Sequence, residues 1–306
     1  MKTQNQGAGN ISRADLWQGT IAAIVMIATW AGFVVFARLG SFQGLTPYDL
    51  GLLRFGVSAT VAAPFAYIWW PRHLTVLQII VLAVVGPGVV YGLLSYQGLS
   101  LAPAAYAGVF TNGTMPVITA IYVWIFLGDR FGPRALTGIA LVTSGCIMLG
   151  LFDVEPLAGT KSTDVRFGAL LLLLAGAVLS AYVVLARHWR LAPKQALVVI
   201  ALPNFGLMLP IWLFSGPSGI PTADFTTVLF QALFQGLGPA TLAVFCYATI
   251  IDKLGSATTA ACSAVVPAVA AIFAIPILGE WPSLIQWCGI FAVSVGLAVF
   301  FTRRGL

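Results

Sequence analysis

Ten times between Leu16 and Thr302 the chain runs for about 20 residues almost free of charge, and each run stops at a short charged or Pro/Gly-rich break. A helix of that length crosses the hydrocarbon core of a bilayer, and no soluble fold could hide ten of them. The helices expected from these breaks cover 16–38, 47–70, 74–98, 102–127, 132–151, 166–188, 193–214, 224–250, 255–278 and 282–302. The least marked boundary is the one between the third and fourth, because Leu74 to Gly128 carries no charge; the turn is placed at Ser100–Pro103. Only 8% of the 306 residues are charged and 59% are hydrophobic, against about 25% charged in a soluble domain. That excludes a soluble enzyme, a nucleic-acid-binding module and a disordered chain. Lys2 and Arg13 precede the first run, which is too long for a signal-peptide core and is expected to be retained as a helix.

The net charge of +6 has a topological reading. With the N-terminus on one side, that side collects Lys2, Arg13, Arg72, Arg130, Arg134, Arg187, Arg190, Lys194, Lys253, Arg303 and Arg304, and the other holds Arg38, Lys161 and Arg166. Eleven against three is a positive-inside bias that puts both termini in the cytoplasm of a cell whose inner (cytoplasmic) membrane holds the protein. Arg54 belongs to neither side, because it falls inside the second span. The four cysteines, Cys146, Cys246, Cys262 and Cys288, sit in apolar runs without a CxxC pair or a histidine at ligand spacing, and read as small core residues. No metal or cofactor is expected.

Shifted by 151 residues, the chain matches itself. LGDRFGPRALTGIALVTSG from Leu127 aligns with LGEWPSLIQWCGIFAVSVG from Leu278, bringing Gly138 onto Gly289, Gly145 onto Gly296, Pro116 onto Pro267 and Tyr96 onto Tyr247. Earlier, Ala37-Arg38 meets Ala186-Arg187, and Pro47 and Pro64 meet Pro193 and Pro210. Each copy holds five helices, and an odd number makes the second copy enter the membrane from the opposite side. The expected fold class is an all-α integral membrane protein with ten transmembrane helices in two inverted five-helix repeats. Its divisions are a tail at 1–15, the first repeat at 16–151, an extracytoplasmic linker at 152–165, the second repeat at 166–302 and a tail at 303–306. Inverted repeats are the architecture of secondary transporters; a duplication kept only for packing is the alternative.

The twin LG-[DE]…G…G segments, the Leu53-Arg54-Phe55 element and the two five-helix halves resemble the EamA-type family of the drug/metabolite transporter superfamily, over almost the whole chain. The resemblance implies transport, with a central cavity between the halves and export of amino acids and other metabolites; it does not fix the cargo.

Matched helix breaks are the best sequence pointer to a transporter site. Gly86, Pro87 and Gly88 interrupt the third helix, and Gly236, Gly238 and Pro239 stand at the equivalent place in the eighth. They read as hinges, with static kinks as the alternative. Polar or aromatic groups deep in the spans are the candidate substrate contacts: Gln231 and Gln235 on one face of the eighth helix, Tyr91 on the corresponding face of the third, Asn112, Asn204, Tyr182 and Trp30. Each of them also has a plain helix-packing reading. Tyr96 and Tyr247 are expected to anchor at the interface. Asp129 and Glu280 match in the repeat and are expected to orient helix ends. Arg54 lies seven residues into its helix from Pro47, roughly 10 Å deep. Snorkelling is one reading, and attraction of a substrate carboxylate by its planar fork is the other.

None of the nine acidic residues falls in the middle of a span, unlike the first-helix acid of the related small multidrug exporters, and cationic cargo is disfavoured. Asp49 and Asp252, near helix ends, are the candidates for proton or ion coupling. No phosphate-binding loop points to ATP. The expected partners are a small-molecule substrate and the lipid bilayer, and no nucleic acid. The leading reading is a secondary exporter of small amphipathic metabolites: amino acids or carboxylate-bearing derivatives, a metal-chelating one included. An integral-membrane lipid- or metabolite-modifying enzyme and a receptor-like protein are the alternatives from other classes.

Overall fold

A computed structural model describes residues 12–128, 132–153 and 161–301. Most of the expected tails, the middle of the expected linker and Asp129 lie outside the described residues. Ten helices are long and apolar enough to span a bilayer: α1 (Arg13–Phe42), α2 (Pro47–Trp69), α3 (Val76–Leu101), α4 (Ala104–Phe126), α5 (Pro133–Phe152), α6 (Ser162–His188), α7 (Pro193–Phe214), α8 (Phe225–Gly255), α9 (Ala261–Leu278) and α10 (Leu284–Phe301).

The helix starts follow from local chemistry. Ser12 caps α1 by accepting from the Asp15 amide at 3.0 Å. Thr46 and Asp49 cap each other's backbone at the start of α2, where Pro47 supplies a preset φ. Thr75 and Gln78 do the same for α3. The Ser100–Pro103 turn forms where expected, with α3 ending at Leu101 and α4 starting at Ala104. Several boundaries differ from expectation: α6 starts at Ser162, inside the expected 152–165 linker, and two further differences bear on the site. Helix α1 continues to Phe42 and takes Arg38 into its body, so Arg54 is not the only basic residue within a span. Between α8 and α9 no loop separates the helices: the chain turns at Gly255, whose φ of 84° lies in the left-handed region that glycine enters without penalty.

The inverted symmetry is visible in the packing. Helix α1 lies along the stretch 243–278 of α8 and α9, and its repeat mate α6 lies along α3 and α4; α2 packs on α7 and α5 on α10. The last pair brings backbone against backbone. A Cβ built on Gly138 would stand 2.7 Å from the Gly296 carbonyl, and one on Gly145 would stand 2.7 Å from the Gly289 carbonyl. Each of these glycines therefore faces the repeat match of the other, as a pseudo-twofold axis requires, and only glycine lets the backbones approach that closely. Outside this core, Ile68, Phe126, Phe214 and Phe291 are exposed, a surface that lipid tails cover.

The candidate substrate cavity

The two matched breaks are built differently. In α3 the helix stops at Val85 and restarts at Val89, with Gly86 and Gly88 extended. Asn204 of α7 repairs the gap: its Oδ1 accepts from the Val89 amide at 2.7 Å, and its Nδ2 donates to the Ala83 and Ile200 carbonyls at 3.1 and 2.8 Å. In α8 the helix does not stop. It widens through a π-helical stretch at Gly238–Leu242, and the Gly236 carbonyl accepts from Ser58 of α2 at 2.9 Å. Gly236 is packed against α2, where a Cβ would meet that of Val57 at 2.6 Å, while Gly238 has more room, its nearest neighbour being the Thr29 methyl at 3.2 Å.

Between these breaks lies a cavity of about 290 Å³. Its walls run from mid-helix residues such as Phe33, Arg54 and Tyr91 to Pro193 and Ser263, in the first turns of α7 and α9. It therefore reaches the end of the bundle at which α1 begins and α10 finishes. Five of the expected contact residues line it: Trp30, Arg54, Tyr91, Asn112 and Tyr182. Both prolines of the breaks, Pro87 and Pro239, line it too. Sequence reasoning missed Phe33 and Phe55. Each had a signal: Phe33 is one helical turn from Trp30, and Phe55 adjoins Arg54.

Three expected contacts lie elsewhere. Asn204 is wholly buried and spends its amide on the α3 break. Gln231 donates to the Phe36 carbonyl at 2.7 Å, and Gln235 donates to Gln231 at 3.2 Å. Gln231 thus joins α8 to α1, and Gln235 joins it to Tyr96 of α3, because an unpaired amide inside a membrane protein costs more than a paired one. The two repeat-matched tyrosines are not interface anchors. Tyr96 is fully buried and donates to Gln235 at 3.4 Å, and Tyr247 lines the cavity with its ring 5.7 Å from that of Trp30.

Arg54 stands at the deep end of this space, only 3% exposed. Its Nη2 reaches the Pro87 carbonyl at 3.5 Å, and its Nε and Nη1 have no hydrogen-bond partner among the described residues. The rings of Phe33, Phe55 and Tyr91 lie 5.2, 5.7 and 5.9 Å from its Cζ. Ring faces attract a cation but do not neutralise it.

The opposite end of the bundle is tied by three carboxylates. Glu280 pairs with Arg38 and accepts from the Ala104 amide at 2.9 Å, while Arg38 also donates to the Leu99 carbonyl. Asp49 accepts from Trp212 at 2.8 Å, Ser218 at 2.6 Å and the Gly219 amide at 2.9 Å. Asp153 accepts from Gln286 at 2.6 Å and Ser283 at 3.2 Å. Each clasp joins elements from both halves of the chain. Asp252, the other coupling candidate, is exposed and lies 3.4 Å from Lys253.

A lipid-facing helical bundle with mutually inverted halves and a cavity between them is the fold of a multi-pass membrane transporter. The model of the EamA-like transporter family matches residues 17–151 and again 166–302, and the chain belongs to that family. It is similar to the uncharacterised transporter YetK of Bacillus subtilis (strain 168), 26% identical over 68% of this chain and 62% of that one. A WAT1-related protein of Arabidopsis thaliana is 24% identical over 44% of this chain and 37% of its own. The matches thus span less than two thirds of either relative. A crystal structure superposes with a TM-score of 0.61 over 94% of this chain and 98% of that one, at 20% identity, a likeness of fold alone.

Proposed function

We propose that this transporter exports small amphipathic metabolites bearing a carboxylate, amino acids or their derivatives and a carboxylate-rich metal chelator among them, by alternating access of its two halves. Both termini are cytoplasmic, in the inner membrane, and the chain divides at 16–151 and 166–302 about an extracytoplasmic linker. The observation that carries this reading is Arg54: a buried guanidinium with two unpartnered nitrogens, on the wall of an aromatic cavity. Keeping a charge inside a membrane is costly, and a group that arrives with the opposite charge recovers that cost. Trp30, Tyr91, Asn112 and Tyr182 surround the cargo. Gly238 and Pro239 in α8, and Gly86, Pro87 and Gly88 in α3, are the hinges on which the halves rock; Gly236 fixes α8 to α2 beside its hinge.

Counterflow in proteoliposomes tests the reading. Preloaded carboxylate-bearing solutes should drive saturable uptake of the same labelled compound, recovered chemically unchanged. A chemically altered product would favour an enzyme, and no saturable exchange across a panel of amino acids and derivatives would overturn the proposal. Sidedness has its own check: single cysteines at Gly159 and Arg304, in a background without the native four, should label from opposite faces.

A further inference from the structure

We infer that the cavity selects a lone carboxylate on an apolar or aromatic body, an amino-acid derivative whose amine is lost or acylated, over the free zwitterion. The inference rests on the reading that Arg54 receives the carboxylate, and it adds a rule about the amine. Nη2, held only by its 3.5 Å bond to the Pro87 carbonyl, forms a fork with either of the unpartnered nitrogens, Nε or Nη1, and such a fork takes both oxygens of one carboxylate, the planar geometry in which arginine excels. The rings of Phe33 and Tyr91 beside it offer an apolar seat for the body of the ligand.

An ammonium has no such welcome. No Asp or Glu is among the described lining residues, and the buried Asp49 and the partly buried Glu280 are engaged at the far end of the bundle. The acceptors present are neutral. Asn112 is an amide, and the Thr241 and Ser263 hydroxyls already donate to the carbonyls of Gly236 and Thr259. Since an α-amino group sits next to its own carboxylate, docking the carboxylate on Arg54 also brings the ammonium close to the guanidinium. Between apolar walls that repulsion is less screened than in bulk water, and the desolvation of the ammonium is repaid only by dipoles and ring faces. Acylating or removing the amine abolishes both costs.

Five compounds sharing one phenyl body separate the possibilities: 3-phenylpropionate, 3-phenylpropanamide, phenylalanine, N-acetylphenylalanine and 2-phenylethylamine. Binding to the purified full chain is read as the thermal shift in detergent over a concentration series reaching the millimolar range. The acid and N-acetylphenylalanine should bind at least about tenfold more tightly than phenylalanine and the amide, a difference of about 1.4 kcal/mol, and the amine should not bind. In Arg54→Gln the acid should fall to the level of the amide. If phenylalanine matches the acid and both exceed the amide, the amine rule is wrong while Arg54 still receives carboxylates. If acid and amide bind alike, both readings fall. Preferential binding of the amine, or no shift with any of the five, overturns the inference as well.

Discussion

Arg38 and Arg54 are both buried in the same apolar bundle, at 1% and 3% exposure, and they differ in company. Arg38 is fully spoken for: it pairs with Glu280, donates to the Leu99 carbonyl and lies 4.7 Å above the Phe42 ring. It ties α1 to the α3–α4 turn and to the α9–α10 connection, at the end of the bundle away from the cavity mouth. Arg54 has one long bond to a carbonyl, the Tyr96 hydroxyl and ring faces on its flanks, and no carboxylate partner among the described residues. Burial is the same in both and pairing is not, and on our proposal the arginine without a carboxylate partner is the one that receives cargo. The same distinction separates Asn204, whose amide is consumed in repairing the α3 break, from Asn112, which lines the cavity.

The largest effect that would break this comparison is on the paired side. Arg38→Gln leaves the partly buried Glu280 carboxylate without its cation, and breaking a buried pair costs up to about 3–5 kcal/mol. The yield of monodisperse protein and its thermal unfolding should both collapse. Adding Glu280→Gln should restore part of the loss, because two neutral amides replace a charge without a partner; no restoration would deny that the pair acts as a unit.

A smaller effect should follow from Asn204→Ala, which leaves the Val89 amide and the Ala83 carbonyl unsatisfied at about 1–3 kcal/mol. It also loosens the backbone that carries the Pro87 carbonyl toward Arg54, so the preference for acid over amide should weaken along with stability. A loss of stability with that preference intact would detach the break from the site. The Gly236→Ala variant acts from the other side: its Cβ would press on Val57 and stand 3.1 Å from the Arg54 carbonyl, an overpacking cost of about 1–3 kcal/mol.

The smallest change in stability is expected for Gly238→Ala, since the Thr29 methyl at 3.2 Å can yield. If α8 hinges there, exchange in counterflow slows although the melting temperature barely moves. Equal losses of rate and stability would return Gly238 to packing.

How far the sequence could be read follows from which signals are local. Helix spans and their inversion depend on runs of apolar residues and on a repeat that needs no partner, and ten spans lie close to where the breaks put them. The structure sets Arg54 on the cavity wall, and its burial was legible from its place seven residues into an apolar span. Arg38 was not, since its helix runs on past the expected end and its partner Glu280 is 242 residues away. For the same reason Gln231 and Gln235 resemble cavity groups in sequence and are joints in space: an amide in a membrane helix needs a partner, and the sequence does not say whether a neighbouring helix or a substrate provides it. The tyrosine pair Tyr96 and Tyr247 carried a usable signal, its match across the repeat, and helix position misread it.

The central claim is that Arg54 serves cargo and not the fold. Thermal unfolding in detergent and saturable carboxylate flux in proteoliposomes, measured on the same preparations of wild type and Arg54→Gln, test it most directly. The variant should melt at or above the wild-type temperature, because an unpaired buried charge is gone, while flux falls about ten- to a hundredfold, the worth of a charged hydrogen bond. A melting temperature that drops as far as that of Arg38→Gln, with flux lost only in proportion to folded protein, would contradict the claim.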